Sequence, residues 1–243
     1  MNKVQQKAVE FGIDLSRLPV HIGMIMDGNG RFATKQGLAR LWGHAQGYKS
    51  LRGALMDASD LGVKCLTVYA FSAENWRRPD MEVKGLMELI EKSTRDEVVT
   101  MMRNNVRLHI AGRLKELPNS LQEAFSNAME TTKNNTGINF TLAVNYGGRA
   151  EIVDAVKKII SKGTPVEEVT EELISQNLYQ PELPEPDLII RTAGEVRWSN
   201  FLIYQAAYAE LVVTQTTWPE FKQKDFFTAV LEFQNRFRKF GGL

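Results

Sequence analysis

The sequence predicts a single α/β domain whose central, mostly parallel sheet of about six strands is flanked by helices. Short apolar runs alternate with helical periodicity along all 243 residues. Several runs carry Val, Ile, Leu and Phe at successive positions, so both strand faces are apolar, as in strands buried between two helix layers. No internal repeat or low-complexity tract divides the chain, and its length suits one well-buried core. Residues 1–243 therefore form one domain, with 1–18 an N-terminal segment and 236–243 a C-terminal tail. Alternation of this kind implies parallel strands joined by helical crossovers.

The candidate strands are 20–26, 65–71, 106–111, 139–145, 188–191 and 211–214. A helix is expected over about 43–61, where Tyr48, Leu51, Leu55, Ala58 and Leu61 recur at three and four and Gly62 stands as a C-terminal glycine. A second runs from about 79 to 104; Pro79 opens it, and Asp80 and Glu82 place carboxylates in its first turn. The polar, proline-bearing stretch 163–186 is a connection with one short helix.

The formal net charge is +1, so nothing global points to nucleic acid or an acidic partner. Cys65 is the single cysteine, which excludes an intrachain disulfide and suggests a reducing, cytoplasmic setting. The first residues lack the apolar core of a signal peptide. No apolar run approaches the roughly 20 residues that span a bilayer, so any membrane contact would be peripheral.

In parallel sheets ligands bind beyond the carboxyl ends of the strands. Four such ends carry chemistry here: Asp27-Gly28-Asn29-Gly30-Arg31; residues 72–79; residues 145–149; and residues 192–200. Arginines gather at this one edge while overall charge stays near zero. Guanidinium groups offer planar forks of donors that match phosphate oxygens. The glycines around Asn29 let backbone N–H groups approach a phosphate, and a helix starting there adds its positive end. Asp27 beside such a cradle calls for a bridging cation, and Mg²⁺, held by one or two carboxylates and phosphate oxygens, is the usual one. An ordinary glycine-rich turn is the alternative. Asp27 carries no obvious structural duty at a strand end.

Two other motifs fail. Gly28 to Ala33 fits the dinucleotide fingerprint, but its acidic partner should close a second strand about 20 residues later, where this chain reads as helix. A calcium loop beginning at Asp27 would place Arg31 at a ligand position, which a cation cannot fill. His44, at a helix start, serves either local backbone or a phosphate. Trp76 and Trp198 read as core or rim aromatics. Ser199 reads as the N-cap of a helix carrying Phe201, Leu202, Gln205, Ala206 and Ala209, a role compatible with a phosphate contact.

Residues 21–31, Gly43-His44, residues 69–79, 145–149 and 190–195, with Arg197, Ser199-Asn200-Phe201, Gln205 and Tyr208-Ala209-Glu210, resemble in order the conserved regions of the cis-prenyltransferases of the undecaprenyl diphosphate synthase type. The resemblance runs from about residue 20 to the C-terminus. It implies a homodimeric enzyme that condenses isopentenyl diphosphate with an allylic diphosphate, such as farnesyl diphosphate. The product would be a cis-polyprenyl diphosphate such as undecaprenyl diphosphate, a lipid carrier of cell-wall synthesis released with peripheral membrane contact.

By the same resemblance Asp27 holds Mg²⁺ on the primer diphosphate, which Gly28, Asn29, Gly30, Arg31, Arg40 and His44 surround and Arg78 approaches. Phe32 and Glu74 count among the substrate-binding residues. Ser72, Asn75, Trp76 and Glu82 shape the space where the substrates meet, and Asn75 helps relay the departing proton to a phosphate. Arg191, Arg197 and Ser199 bind isopentenyl diphosphate. Glu210 reaches the metal region from the other subunit. An apolar tunnel takes the growing chain; Leu86, Leu89, Ile90, Leu108, Ile110, Phe140 and Leu142 are its candidate lining, with plain core the alternative for each. Ala70, small in a bulky strand, is a candidate to set chain length.

The chain departs from the family at Phe32, often Trp, at Ala193, often Ser, and at Lys239, where the tail is expected to carry Arg. The aspartate-rich motif of trans-prenyltransferases is absent. Two further readings are a non-catalytic partner subunit, which would lose the phosphate-binding residues kept here, and a nicotinamide-dependent oxidoreductase.

Overall fold

The apolar runs become six strands: β1 His21–Ile25, β2 Cys65–Ser72, β3 Arg107–Ala111, β4 Asn139–Tyr146, β5 Leu188–Arg191 and β6 Glu210–Val213. The structure is a computed structural model and describes residues 1–236; the tail with Lys239 lies outside the described residues. Every pairing is parallel, in the order β3-β4-β2-β1-β5-β6. The intervening helices are α1 Lys3–Phe11, α2 Asn29–Lys35, α3 Arg40–Leu61, α4 Asp80–Arg103, α5 Asn119–Thr132, α6 Gly148–Ser161, α7 Glu171–Ser175 and α8 Gln223–Gln234. A main core holds residues such as Leu66, Val68, Phe125 and Phe226. A smaller cluster gathers Ile25, Ile189, Tyr146 and Phe201.

The chain leaves β1 toward β2 on one side and returns to β5 on the other. The sheet therefore reverses its direction of growth at β1–β5, and a crevice opens at the carboxyl ends of that pair. Ile25 is paired with Tyr69 on one flank and Arg191 on the other, so the loops after β1 and β5 emerge level with one another, while β2 runs on to Ser72 before its loop begins. The β2–β4 register slips between Tyr69 and Ser72. Such irregularities re-aim a strand end, and this one lies beneath the loop that follows Ser72.

The helix expected over 43–61 starts earlier, at Arg40, and ends as expected at Gly62 in the left-handed region, φ 112°. Pro79 is the N-cap of α4 and not its first helical residue. The stretch after β4 and α6 holds one short helix, α7, as anticipated.

The helix expected after Ser199 does not form. Residues 201–208 are a succession of turns. Ser199, Asn200 and Leu202 all have positive φ, which interrupts helical propagation. Phe201, Leu202 and Ala206 instead fold down onto the smaller cluster. Ser199 caps no helix; its hydroxyl accepts from Arg191 Nη1 at 2.6 Å.

Two glycines one turn apart bring α3 against the start of α2. A Cβ on Gly43 would stand 2.1 Å from the Asn29 carbonyl oxygen, and one on Gly47 2.3 Å from Asn29 Oδ1. The Gly43 contact is with backbone and has no flexible side chain to yield. Overpacking of this kind costs about 1–3 kcal/mol. Gly43→Ala should lower Tm by on the order of 4–10 °C in a chain of this size. Unchanged thermal unfolding would show that α3 and the α2 loop are not in the contact described.

Candidate active site

The site grows from the two strand ends at the reversal. Asp27 follows β1. Its backbone N–H donates to Thr192 Oγ1 (2.8 Å), and that hydroxyl donates back to the Asp27 carbonyl (2.7 Å). Thr192, nearly fully buried, thus fastens the loops after β1 and β5 to each other. Arg191 ends β5. Its side chain is 3% exposed and places Nη2 3.0 Å from Asp27 Oδ2. Its Nη1 donates to the Arg197 carbonyl at 2.5 Å and to Ser199 Oγ. The other Asp27 oxygen accepts from the Gly28 N–H at 2.7 Å. Asp27 is therefore the counterion of a buried guanidinium, a structural duty that its place at a strand end does not reveal.

Above this pair, Glu195 lies 3.2 Å from Arg31 Nη2 and pairs with Arg197. A second cluster forms where α3 and α4 begin. Glu82 takes Arg78 at 3.0 Å and Arg40 at 3.4 Å on its two oxygens. Gly30 lies beneath the Arg40 guanidinium, 3.0 Å from Cζ to a built Cβ, so a side chain there would meet the arginine. His44 stands beside this cluster with a buried Nε2 that no protein group meets. Burial first, then Arg78, lowers its pKa from 6.5 to about 4 against the upward pull of Glu82, with Arg40 adding to the lowering, so it is neutral near pH 7.

Ser72 and Asn75 cap each other. Asn75 Oδ1 accepts from the Ser72 N–H at 3.1 Å, and the Ser72 side chain accepts from the Asn75 backbone N–H. Asn75 Oδ1 is thus committed to the loop, and the side-chain NH2 is the part of the amide left for a ligand. Glu74 accepts from Asn200 Nδ2 at 2.8 Å, which ties the loop after β2 to the loop after β5.

A cavity of about 740 Å³ connects these groups with an apolar interior. Asp27, Asn29, His44, Ser72, Glu74, Asn75, Arg78, Arg191, Arg197 and Ser199 all line it. Beyond them its walls are Ala70, Leu86, Leu89, Ile90, Phe140 and Leu142, joined by Leu51 and Leu55 of α3. Leu108 and Ile110 belong to the buried core and not to this lining. Gly28, Gly30, Arg31 and Arg40 flank the mouth through the contacts above.

Phe32 lies outside the lining, stacked on Trp42 at 5.6 Å. Trp76 also stands outside it and donates its indole N–H to Asn145 Oδ1 at 2.7 Å. Glu210 begins β6, level with Leu188 and so with Ile22 at the far edge of the sheet, and pairs with Arg236 at 2.8 Å. Within one chain it does not meet Asp27.

Among the described residues no three His, Cys, Asp or Glu side chains gather around one point. Asp27 offers a single carboxylate beside arginines. That donor set fits a divalent cation held jointly with phosphate oxygens, the way Mg²⁺ is ordinarily bound. Residues 49–53, where a dinucleotide fold needs a strand ending in an acid, lie inside α3. That removes the oxidoreductase reading.

Thr192 and Asn200 enter the sequence reading only as members of matched segments, with no role of their own. Thr192 left no signal beyond its place in a loop. Asn200, at φ 63°, is of a type that tolerates the left-handed region, but this too is visible only with the backbone.

The His44 pKa sets a pH dependence. The unfolded chain takes the proton near 6.5 and the folded one only near 4, so the stability from neutral His44 is present above pH 6.5 and lost as pH falls toward 4. The loss amounts to about 3 kcal/mol. His21, also lowered by burial, adds in the same direction. Urea unfolding of the protein and of His44→Gln at pH 7 and pH 4.5 should show the wild type losing more; parallel losses would remove His44 as a buried neutral group.

A family model described as putative undecaprenyl diphosphate synthase matches residues 25–241. An isoprenyl transferase from Fusobacterium nucleatum subsp. nucleatum is 50% identical over 226 residues, covering 93% of this chain and 97% of its own. One from Streptococcus mutans is 48% identical over 239 residues, 95% of this chain and 96% of its own. Two solved structures share the fold. Lavandulyl diphosphate synthase from Lavandula x intermedia, in complex with dimethylallyl diphosphate, superposes with a TM-score of 0.89 at 34% identity, over 92% of this chain and 98% of its own. A probable undecaprenyl diphosphate synthase from Campylobacter jejuni gives 0.79 at 32%, over 93% and 99%. With the family model spanning most of the chain and full-length relatives near half identity, the chain belongs to the isoprenyl transferases of the undecaprenyl diphosphate synthase family, which are cis-prenyltransferase enzymes.

Proposed function

We propose that the protein extends an allylic primer, farnesyl diphosphate, with isopentenyl diphosphate to give a cis-polyprenyl diphosphate of the undecaprenyl kind. The observation that carries this reading is the position of the arginines: Arg78, Arg191 and Arg197 line, together with Asp27, a cavity with an apolar stretch of Leu51, Leu55, Leu86, Leu89 and Ile90, and Arg40 joins Arg78 on Glu82. Two anionic head groups and one hydrocarbon tail fit that arrangement.

Arg31, Arg40, Arg78 and neutral His44 receive the primer diphosphate over the loop Gly28, Asn29 and Gly30. Arg191, Arg197 and Ser199 receive that of isopentenyl diphosphate. Asp27, together with the primer diphosphate, would hold Mg²⁺, which would supply charge stabilisation for the leaving group. As that diphosphate departs, allylic cation character develops at C1, and the fixed guanidinium groups stabilise the negative charge gathering on the leaving oxygens. The alkene of isopentenyl diphosphate attacks C1, and a proton leaves to form the new double bond. Asn75 directs its amide donor to the reacting pair so that the proton passes to a phosphate oxygen. Ser72 and Glu74 hold the loop on which Asn75 sits, and Glu82 aligns Arg40 and Arg78.

The protein works as a homodimer in which Glu210 serves the partner's metal region; this requires its bond to Arg236 to open or Arg236 to accompany it. Among the described residues no helix is long and apolar enough to cross a membrane. A cytoplasmic enzyme that touches the membrane peripherally to release its lipid product is consistent with that.

Turnover with farnesyl diphosphate, isopentenyl diphosphate and Mg²⁺ tests the reading and separates it from a non-catalytic subunit. Asp27→Asn is the informative variant, because it keeps the shape and an acceptor for Arg191 and removes only the counter-charge, whereas Asp27→Ala removes the acceptor as well, at a cost of about 3 kcal/mol or more. Asp27→Asn should lower Tm by less than Asp27→Ala does and lose on the order of 100-fold or more in turnover. Full Mg²⁺-dependent activity in this variant would sink the assignment.

Arg197→Ala should raise KM for isopentenyl diphosphate far more than for the primer. Arg197 is more than half exposed, so the loss lies at the low end for a charged contact, about 2 kcal/mol or roughly 30-fold. Equal effects on both substrates would mean that the two diphosphate sites are exchanged.

A further inference from the structure

A second polar cluster faces the cavity, away from the arginines at its mouth. α4 presents Leu86, Leu89 and Ile90 to the interior and then, from the next turn on, Ser93, Thr94, Glu97 and Thr100. Their spacing of three and four keeps them on one helix face. The cavity-facing stripe of α4 is therefore apolar for its first turns, polar from Ser93 to Thr100, and ends on Met101. Glu97, whose side chain is 14% exposed, accepts from the Tyr48 hydroxyl of α3 and lies 3.6 Å from Arg52 Nη1, one turn further along α3. Tyr48 and Arg52 line the same cavity. At its other end the same two helices are joined by Arg40 and Glu82. At 1.5 Å rise per residue, Glu97 lies about 22 Å along α4 from Glu82 and about 16 Å from Leu86.

We propose that the Tyr48–Glu97–Arg52 cluster is a polar clamp that limits how far the growing prenyl chain advances, which makes Glu97 and Tyr48 specificity-determining residues for product length. The inference rests on the elongating function proposed above. A chain growing inward buries hydrocarbon against Ala70, Leu51, Leu55, Leu86, Leu89 and Ile90, and gains from each isoprene unit it removes from water. Past Ile90 it meets a helix face with hydroxyls and a carboxylate. To advance it must part Tyr48 from Glu97 or lie against the carboxylate and strip its remaining hydration, and a desolvated charge with fewer partners is strongly unfavourable. Arg52 is more than half exposed, so the clamp stands at the seam where α3 and α4 meet solvent, where it can yield outward. Elongation slows when the apolar gain of one more unit no longer exceeds the cost of opening the clamp.

The test compares products of the wild type, Glu97→Leu, Glu97→Gln and Tyr48→Phe from farnesyl diphosphate, excess isopentenyl diphosphate and Mg²⁺. Products are resolved by mass spectrometry and normalised to total extended product. Glu97→Leu should move the maximum of the distribution upward by at least one isoprene unit. Tyr48→Phe and Glu97→Gln, which preserve size and weaken the clamp in part, should move it the same way by less, and they decide the matter if Glu97→Leu fails to fold. A pair that merely fastened α3 to α4 would change Tm and leave the distribution in place. Distributions that stay put or shorten, with products still formed, overturn the clamp alone. A wild type that forms no extended product overturns the elongating function and the clamp with it.

Discussion

Arg191 brings a full positive charge into the end of the sheet with almost no access to water, and Asp27 from the neighbouring strand answers it. Neither group is placed independently. The parallel register of β1 and β5 sets Ile25 beside Arg191, and the reciprocal hydrogen bonds of Thr192 with the Asp27 backbone hold the two loops at that level. With its charge balanced, the guanidinium gathers the Arg197 carbonyl and Ser199 on its other side and so shapes the whole loop after β5. The contact that balances the buried charge at the sheet end is the same contact that joins the Asp27 loop to the Arg197–Ser199 loop. Charge pairs of this depth add little net stability compared with a packed apolar core. Their retention makes sense where the charge has a task.

The three loops converge because of strand order. Reversal at β1 puts the ends of β1 and β5 side by side, while β2 on the other flank contributes the loop with Ser72, Glu74 and Asn75. Asn200 then closes the ring by holding Glu74 from the β5 side. A shift of any one loop is felt by the other two.

Much of this was legible in the chain alone. Strands buried on both faces leave unbroken apolar runs, and all six were located to within a residue or two. The loops after them carried arginines and glycines in an order that identified the family. What stayed hidden depends on backbone conformation or on pairing across the fold. Residues 199–209 have the apolar spacing of a helix, yet positive φ at Ser199, Asn200 and Leu202 turns the segment into a packed loop. Spacing reports which residues are buried, not by what backbone path they arrive. Asp27 read as a group with chemistry and no structural load, because its partner lies 164 residues away. Leu108 and Ile110 show the same limit: as apolar strand residues they are indistinguishable by type from Phe140 and Leu142, which face the cavity.

The glycine contact between α3 and the start of α2 divides α3 into two parts with different freedom. Its first two turns, at Gly43 and Gly47, fit against Asn29 with no room for a side chain, so these positions tolerate almost no change. From Tyr48 onward the same helix is a cavity wall, lined by Tyr48, Leu51, Arg52, Leu55 and Met56, where a changed side chain alters the cavity and not the Asn29 contact. A scaffold built this way separates the inheritance of its chemistry from the inheritance of its product. Descendants can drift in what they make while the reaction centre stays under strict steric constraint, and a fold shared with a lavandulyl diphosphate synthase is the kind of diversification such a division permits.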